Sequence, residues 1–182
     1  KIAIRIREQK KNDSLSLANA HRSLGNVYRA TKQFDEAIES LKIAVRIIEP
    51  KEKDSLSLAN ALYDFAICLL EKGDHEDAIP HLKKVIWIRE LKEKDSLSLA
   101  NAHHSLGNAY RATKQFDEAI ESLKIAIRIR ELKKNDSLSL ANALYDFAIC
   151  LLKKGDHDDA IPHLKEAIRI IRSEEHTSEL QS

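Results

Sequence analysis

Along this chain apolar residues return every three or four positions, in two kinds of stretch that alternate. The first kind, opening at Asp13, carries Leu17, Ala20, Leu24, Val27 and Tyr28, which is the spacing of one buried helix face. Asp13 or Ser14 is placed to cap that helix by accepting backbone N–H bonds. Thr31 to Asp35 read as a turn. The second kind carries Ala37, Ile38, Leu41, Ala44, Val45 and Ile48 on one side. Its other side holds Glu39, Lys42 and Arg46, charges spaced to support one another along a helix. Pro50 is expected to end this helix. Further on the turn becomes Lys72-Gly73-Asp74, where glycine removes the steric cost of a left-handed residue. A pair of such helices cannot bury both apolar faces alone, so stacked neighbours must complete the core.

The pattern repeats. DSLSLAN begins at Asp13, Asp54, Asp95 and Asp136, a constant period of 41 residues. Residues 13–53 and 95–135 agree at 34 of 41 positions, and 54–89 and 136–171 at 30 of 36. Neighbouring copies agree far less, so the duplicated unit is a pair of unlike repeats, A-B-A-B. The expected divisions are 13–53, 54–94, 95–135 and 136–171. Residues 1–12 form the second half of a preceding repeat, because KIAIRIRE at 1–8 recurs at 124–131. After Ile171 the register breaks: Arg172 stands where Glu49, Glu90 and Glu131 would recur. The tail 172–182, RSEEHTSELQS, resembles the translation of a common sequencing-library adapter. It is expected to be non-native, with the natural protein continuing beyond both ends, and it is excluded from the functional reading.

Composition narrows the classes. Lys and Arg total 30 against 29 Asp and Glu, so no net field draws nucleic acid or an anionic membrane. Aromatic residues make up 5%, with 4 Gly and 3 Pro, a balance that favours helices over tight β-turns. No apolar run approaches the roughly 20 residues that span a bilayer. Cys68 and Cys150 are copies of one position, two periods apart, and read as core thiols in a reducing, cytoplasmic compartment.

Leu24-Gly25, Tyr28, Phe34, Ala37, Leu41 and Ala44 resemble the tetratricopeptide (TPR) signature, a Leu-Gly pair and an aromatic followed by spaced small and large residues. Gly25 and Ala37 would be the small pair where two helices cross. The B repeats place Phe65-Ala66, Leu69, His75, Ala78, Leu82 and Val85 there, with His75 departing from the usual aromatic. The 41-residue period and the opening DSLSLANALYDFA resemble repeats of the kinesin-light-chain type. The resemblance covers residues 1–171. It implies an all-α fold, a right-handed α-α superhelix (a TPR-like solenoid) of stacked antiparallel helix pairs. It also implies a non-catalytic scaffold that binds an extended peptide of a partner protein in a concave groove lined by first helices, as in a kinesin-light-chain-like cargo adaptor.

Carried onto this sequence, that groove comprises Asn19, Arg22, Asn26 and Arg29 in the first repeat and Asn60, Tyr63 and Ile67, with Leu70, in the second. Asn101, His104, Asn108 and Arg111 follow in the third, then Asn142, Tyr145 and Ile149, with Leu152, in the fourth. The four asparagines form a ladder able to hold a ligand backbone through amide donor and acceptor. Ser23 and Asp64 occupy two places where a chaperone-tail clamp would want other residues. No phosphate-binding glycine loop, nucleophile elbow or metal spacing occurs, so no catalytic residue, cofactor or metal ligand is expected. His75 and His81, six residues apart, do not share a helix face and read as surface residues, as do His157, His163, His103 and His104. The alternative function is the regulatory or targeting arm of a larger enzyme. Apolar faces left at both ends are expected to promote end-to-end self-association.

Overall fold

The structure, a computed structural model, describes residues 2–133 and 137–179, with side chains for 13–133 and 137–176. Among the described residues there are eight helices and no strand. They are α1 (Ile2–Ala30), α2 (Phe34–Ile48), α3 (Leu56–Lys72), α4 (His75–Lys92), α5 (Leu97–Ala112), α6 (Phe116–Lys133), α7 (Ser137–Lys154) and α8 (His157–Glu179). They form two compact units, Lys1–Ile88 and Arg89–Ser182. In the first, α2 packs on α1 and α3, and α1 touches α3; in the second, α6 packs on α5 and α7, α7 on α8, and α5 touches α7.

Two first helices, α3 and α5, start at the caps the sequence offers. The Ser55 hydroxyl accepts the Leu58 N–H at 3.1 Å and the Ser96 hydroxyl accepts that of Leu99 at 3.0 Å, each satisfying an orphan donor of the first turn. In these two pairs the serine, not the aspartate, takes this role; Asp95 adopts a left-handed φ of 57° just before Ser96. Asp136 lies outside the described residues. Asp13 and Ser14 cap nothing, because α1 runs unbroken from Ile2 to Ala30 and both sit inside it. Residues 2–12 therefore continue into the first helix of the first repeat.

Helix ends differ by repeat. α2 stops at Ile48, two residues before Pro50, whereas Leu91 and Leu132 at the equivalent position let α4 and α6 continue to Lys92 and Lys133. In the B repeats Gly73 and Gly155 take φ of 100° and 94°; in the A repeats Lys32 and Lys114 take the same role at 60° and 62°. Phe34 and Asp35, expected in the turn, already belong to α2.

The close crossing is where the signature places it. A Cβ on Gly25 would stand 2.6 Å from Leu41 Cγ and 3.2 Å from the Ala37 carbonyl oxygen. Ala37, Ala78, Ala119 and Ala160 are all fully buried. The second-helix face Ala37, Ile38, Leu41, Ala44 and Ile48 is buried, and Lys42 and Arg46 are exposed. The first-helix face behaves as expected in α3, where Leu58, Ala61, Phe65, Cys68 and Leu69 are buried. In α1 it does not: Leu17 is 52% exposed, and Ala20, Leu24 and Val27 are exposed too. In α3 these positions lie against α2, with the Cys68 thiol 3.9 Å from the Phe34 carbonyl oxygen. The same stripe of α1 faces away from both helices it touches. Both cysteines are buried and unbridged. The tail continues α8 as helix through Glu179.

Candidate ligand-binding face

The candidate face is made by first helices, α1 and α3 in one unit, α5 and α7 in the other. Every proposed residue on it reaches the surface. Asn19, Asn60, Asn101 and Asn142 are exposed, as is Tyr145. Arg22, Asn26, Arg29, Tyr63, Ile67, Leu70, His104, Asn108, Arg111, Ile149 and Leu152 are half-buried. Two asparagines of the ladder thus stand on each unit's face, one per helix.

The cationic and amide groups already have carboxylate partners from the next repeat. In the first unit Asp64 Oδ2 accepts from Asn26 Nδ2 at 3.0 Å and lies 3.4 Å from Arg22 Nε, while Arg29 donates to Glu71 at 2.9 Å. In the second unit Asp146 Oδ2 lies 2.8 Å from His104 Nε2, and Asp146 Oδ1 is 3.4 Å from Arg111, which also donates to the Asn108 side-chain carbonyl at 3.4 Å. Arg130, buried at the end of α6, donates to Asn101 Oδ1 at 2.8 Å, fixing that rung of the ladder, and comes within 3.5 Å of His104 Nδ1. Burial alone would raise the Asp146 pKa, but the His104 hydrogen bond and charge, with Arg111 and Asn108, outweigh it and hold the carboxyl below its ordinary range.

Sequence reasoning named the cations and placed Asp64 on these helices, but missed its pairing with Arg22 and Asn26 and missed Glu71, Asp146 and Arg130. The signal was present in the spacing. Arg22 and Asp64, Arg29 and Glu71, and His104 and Asp146 are each 42 residues apart, one period and one place, so stacking sets them side by side. The face is therefore less positive than its arginines imply. What it offers a ligand is the amide ladder together with the half-buried apolar surfaces of Tyr63, Ile67, Leu70, Ile149 and Leu152 and the exposed Tyr145.

Of the histidines away from this face, His157 is exposed as expected, but His81, His163 and His103 are not simple surface residues. His81 packs its ring 4.7 Å from that of Phe65, and His163 does the same against Phe147. Burial lowers the His81 pKa. His103, expected at the surface, is only 5% exposed, with neither ring nitrogen hydrogen-bonded; Glu90 lies 3.9 Å away. Burial, with the Arg128 charge, depresses its pKa from 6.5 to about 4. The Cys150 thiol is pushed up to about 11, chiefly by burial, away from the thiolate a nucleophile needs. Among the described residues no group of three or more His, Cys, Asp or Glu is placed to hold a metal ion. No helix among them is long and apolar enough to cross a membrane.

Comparison with known proteins sets this geometry in context. The tetratricopeptide repeat profile matches residues 16–91 and 98–173. No curated protein matches the sequence. Among solved structures, BtubC (BKLC) from P. vanneervenii superposes with a TM-score of 0.82 at 19% identity, covering 87% of this chain and 65% of that one. Kinesin light chain-like, nearly identical TPR-like repeats from Podosopora anserina give 0.77 at 22%, covering 88% and 76%. A Rap protein complexed with Competence and Sporulation Factor gives 0.72 at 20%, covering 86% and 43%. The chain thus spans less than two thirds of the first and under half of the Rap protein, and at these identities the likeness is one of fold.

Proposed function

Since the chain belongs to the tetratricopeptide repeat family, we propose that it is a non-catalytic scaffold whose first-helix faces bind an extended segment of a partner protein. The observation that carries this reading is the exposed amide ladder beside half-buried apolar side chains on the same helices, Asn60 with Tyr63 and Ile67, Asn142 with Tyr145 and Ile149. An extended peptide has unpaired backbone N–H and C=O groups at every residue, and an Asn side chain satisfies either kind. Aromatic and branched side chains half in and half out of the surface supply the apolar area that such binding buries. The Rap protein bound to Competence and Sporulation Factor is a neighbour of the same fold solved with a ligand. A kinesin-light-chain-like role as cargo adaptor fits this scaffold as its finer reading.

The pairing of Arg22, Arg29 and Arg111 with Asp64, Glu71 and Asp146 alters the preferred ligand. A face whose cations are already neutralised selects apolar side chains and backbone groups ahead of acidic ones. Peptide-library selection, followed by titration calorimetry on a selected peptide, tests this. Tyr63→Ala and Tyr145→Ala are each expected to weaken binding about tenfold, the effect of roughly 1.4 kcal/mol. Glu39→Ala, on the exposed side of α2, should leave affinity unchanged. Asp146→Asn, which releases Arg111, should move selection toward acidic peptides. Equal losses from Glu39→Ala, or acidic peptides dominating the wild-type selection, would refute the assignment.

A further inference from the structure

The second helices carry a separate surface that the first-helix reading leaves unused. Between α2 and α4 lies a recess of about 510 Å³ with Phe65 and Leu69 of α3 beneath it and Val45 and Pro80 on its walls. Lys42 and Arg46 line the α2 side. Lys42 Nζ stands 5.9 Å over the Phe65 ring, a cation–π placement. The Glu49 carboxylate at the rim is taken up by Lys84. Arg46 is exposed and makes no ion pair among the described residues, so this wall presents two cations that no carboxylate satisfies. Asp77 is the one other acid lining the recess, and it comes from the α4 side.

α4 extends the surface lengthwise. Pro80, Lys84 and Trp87 are spaced by 4 and 3 residues and so share one stripe of the helix. Trp87 is 49% exposed. Trp87 stands where the other repeats have Arg46, Arg128 and Arg169. The position is therefore polar elsewhere in the chain, and the large apolar group at this one place answers to nothing in the core. An exposed Trp beside an aromatic-floored recess has the composition of an interface centre. From Pro80 to Trp87 the stripe runs about 10 Å at 1.5 Å per residue, two turns of helix. Apolar residues of a second helix at the same spacing would meet the recess and Trp87 in turn.

We propose that this face docks an acidic amphipathic helix of a partner protein. Its apolar stripe seats in the recess and on Trp87, and carboxylates flanking that stripe lie against Lys42 and Arg46. Charge complementarity at the α2 wall selects acidic over basic flanks. The site is independent of the first-helix faces.

Trp87 is the single tryptophan of the 182 residues, so its emission reports on this surface alone. The test uses two synthetic 18-residue helical peptides with the same leucine stripe, one flanked by Glu and one by Lys, titrated into the full chain. A saturable blue shift is expected with the Glu peptide, and binding at least tenfold weaker with the Lys peptide. Arg46→Glu, an exposed change checked for unaltered helicity by circular dichroism, should weaken the Glu peptide at least tenfold, and Lys42→Ala should weaken it less. Tyr63→Ala should leave it unchanged. Absence of a saturable shift, equal binding of both peptides, indifference to Arg46→Glu, or loss on Tyr63→Ala would each overturn the proposal.

Discussion

Replacing Gly107 by Ala sets two opposed effects of known sign against each other. Gly107 lies within α5 where it crosses α6, and an added Cβ would stand 2.6 Å from Leu123 Cγ, 3.0 Å from Leu123 Cδ2 and 3.3 Å from the Ala119 carbonyl oxygen. In a free helix the change gains about 1 kcal/mol from propensity. Here the methyl overpacks a fully buried leucine, at a cost of about 1–3 kcal/mol. The balance is a net destabilisation between zero and roughly 2 kcal/mol. Leu123→Ala alone leaves a cavity and should cost about 2–5 kcal/mol. In the double variant the new methyl enters the vacated space, so Gly107→Ala should turn stabilising. The two changes should then fail to add by about 1–3 kcal/mol. Urea unfolding of the four proteins, followed by far-UV circular dichroism at one pH, measures the coupling. Gly107→Ala stabilising the wild type by its full propensity gain, or the changes adding within about 0.5 kcal/mol, would show that the crossing is not tight.

Two further outcomes follow from backbone and burial. At Lys114, a left-handed lysine costs about 1–2 kcal/mol, partly offset by the freedom glycine adds to the unfolded chain. Lys114→Gly, which installs the residue of the B repeats, should therefore raise stability by about 0.5–1 kcal/mol in the same urea assay; a loss would contradict the strain argument. His103 is held neutral by burial, its pKa depressed from 6.5 to about 4, so the unfolded chain takes up the proton first as pH falls. Stability is full above pH 6.5 and declines toward pH 4 by up to about 3 kcal/mol. His103→Leu, the residue at Leu62 and Leu144, should flatten that part of the profile, and an unchanged slope would show that His103 is not its source.

Much of the fold was legible because a repeat writes each instruction several times. The second-helix face at Ala37, Leu41 and Ile48 and the Pro50 stop follow from local spacing and backbone chemistry, the Gly25–Ala37 crossing follows from the tetratricopeptide resemblance, and the structure carries all three. The α1 stripe at Leu17, Leu24 and Val27 did not follow. Periodicity says which side of a helix is apolar, and burial needs a neighbour on that side. The Asp13 cap failed for a related reason, since a preceding helical segment satisfies the same backbone donors. On the candidate face, the exposure of Asn60 and Tyr145 and the partial exposure of Tyr63 were legible from helix register. The neutralisation of Arg22 and Arg111 was not, because it depends on charges 42 residues away meeting across a packed interface. His103 was missed because an adjacent polar pair reads as surface, and its burial is set by α6 and by α4 near Glu90.

The carboxylates at Asp64, Glu71 and Asp146 also bear on how fast a ligand arrives. Long-range attraction needs uncompensated charge, and on these faces each arginine's field is largely cancelled within a few ångströms. Encounter then proceeds without steering, at association rate constants of about 10⁵–10⁷ M⁻¹s⁻¹ that vary little with ionic strength. If these faces bind a partner segment as proposed, differences among partners would fall instead on residence time, governed by how well an apolar side chain fills the space beside Tyr63 or Tyr145. Such faces would sample many sequences at similar speed and keep the few that fit.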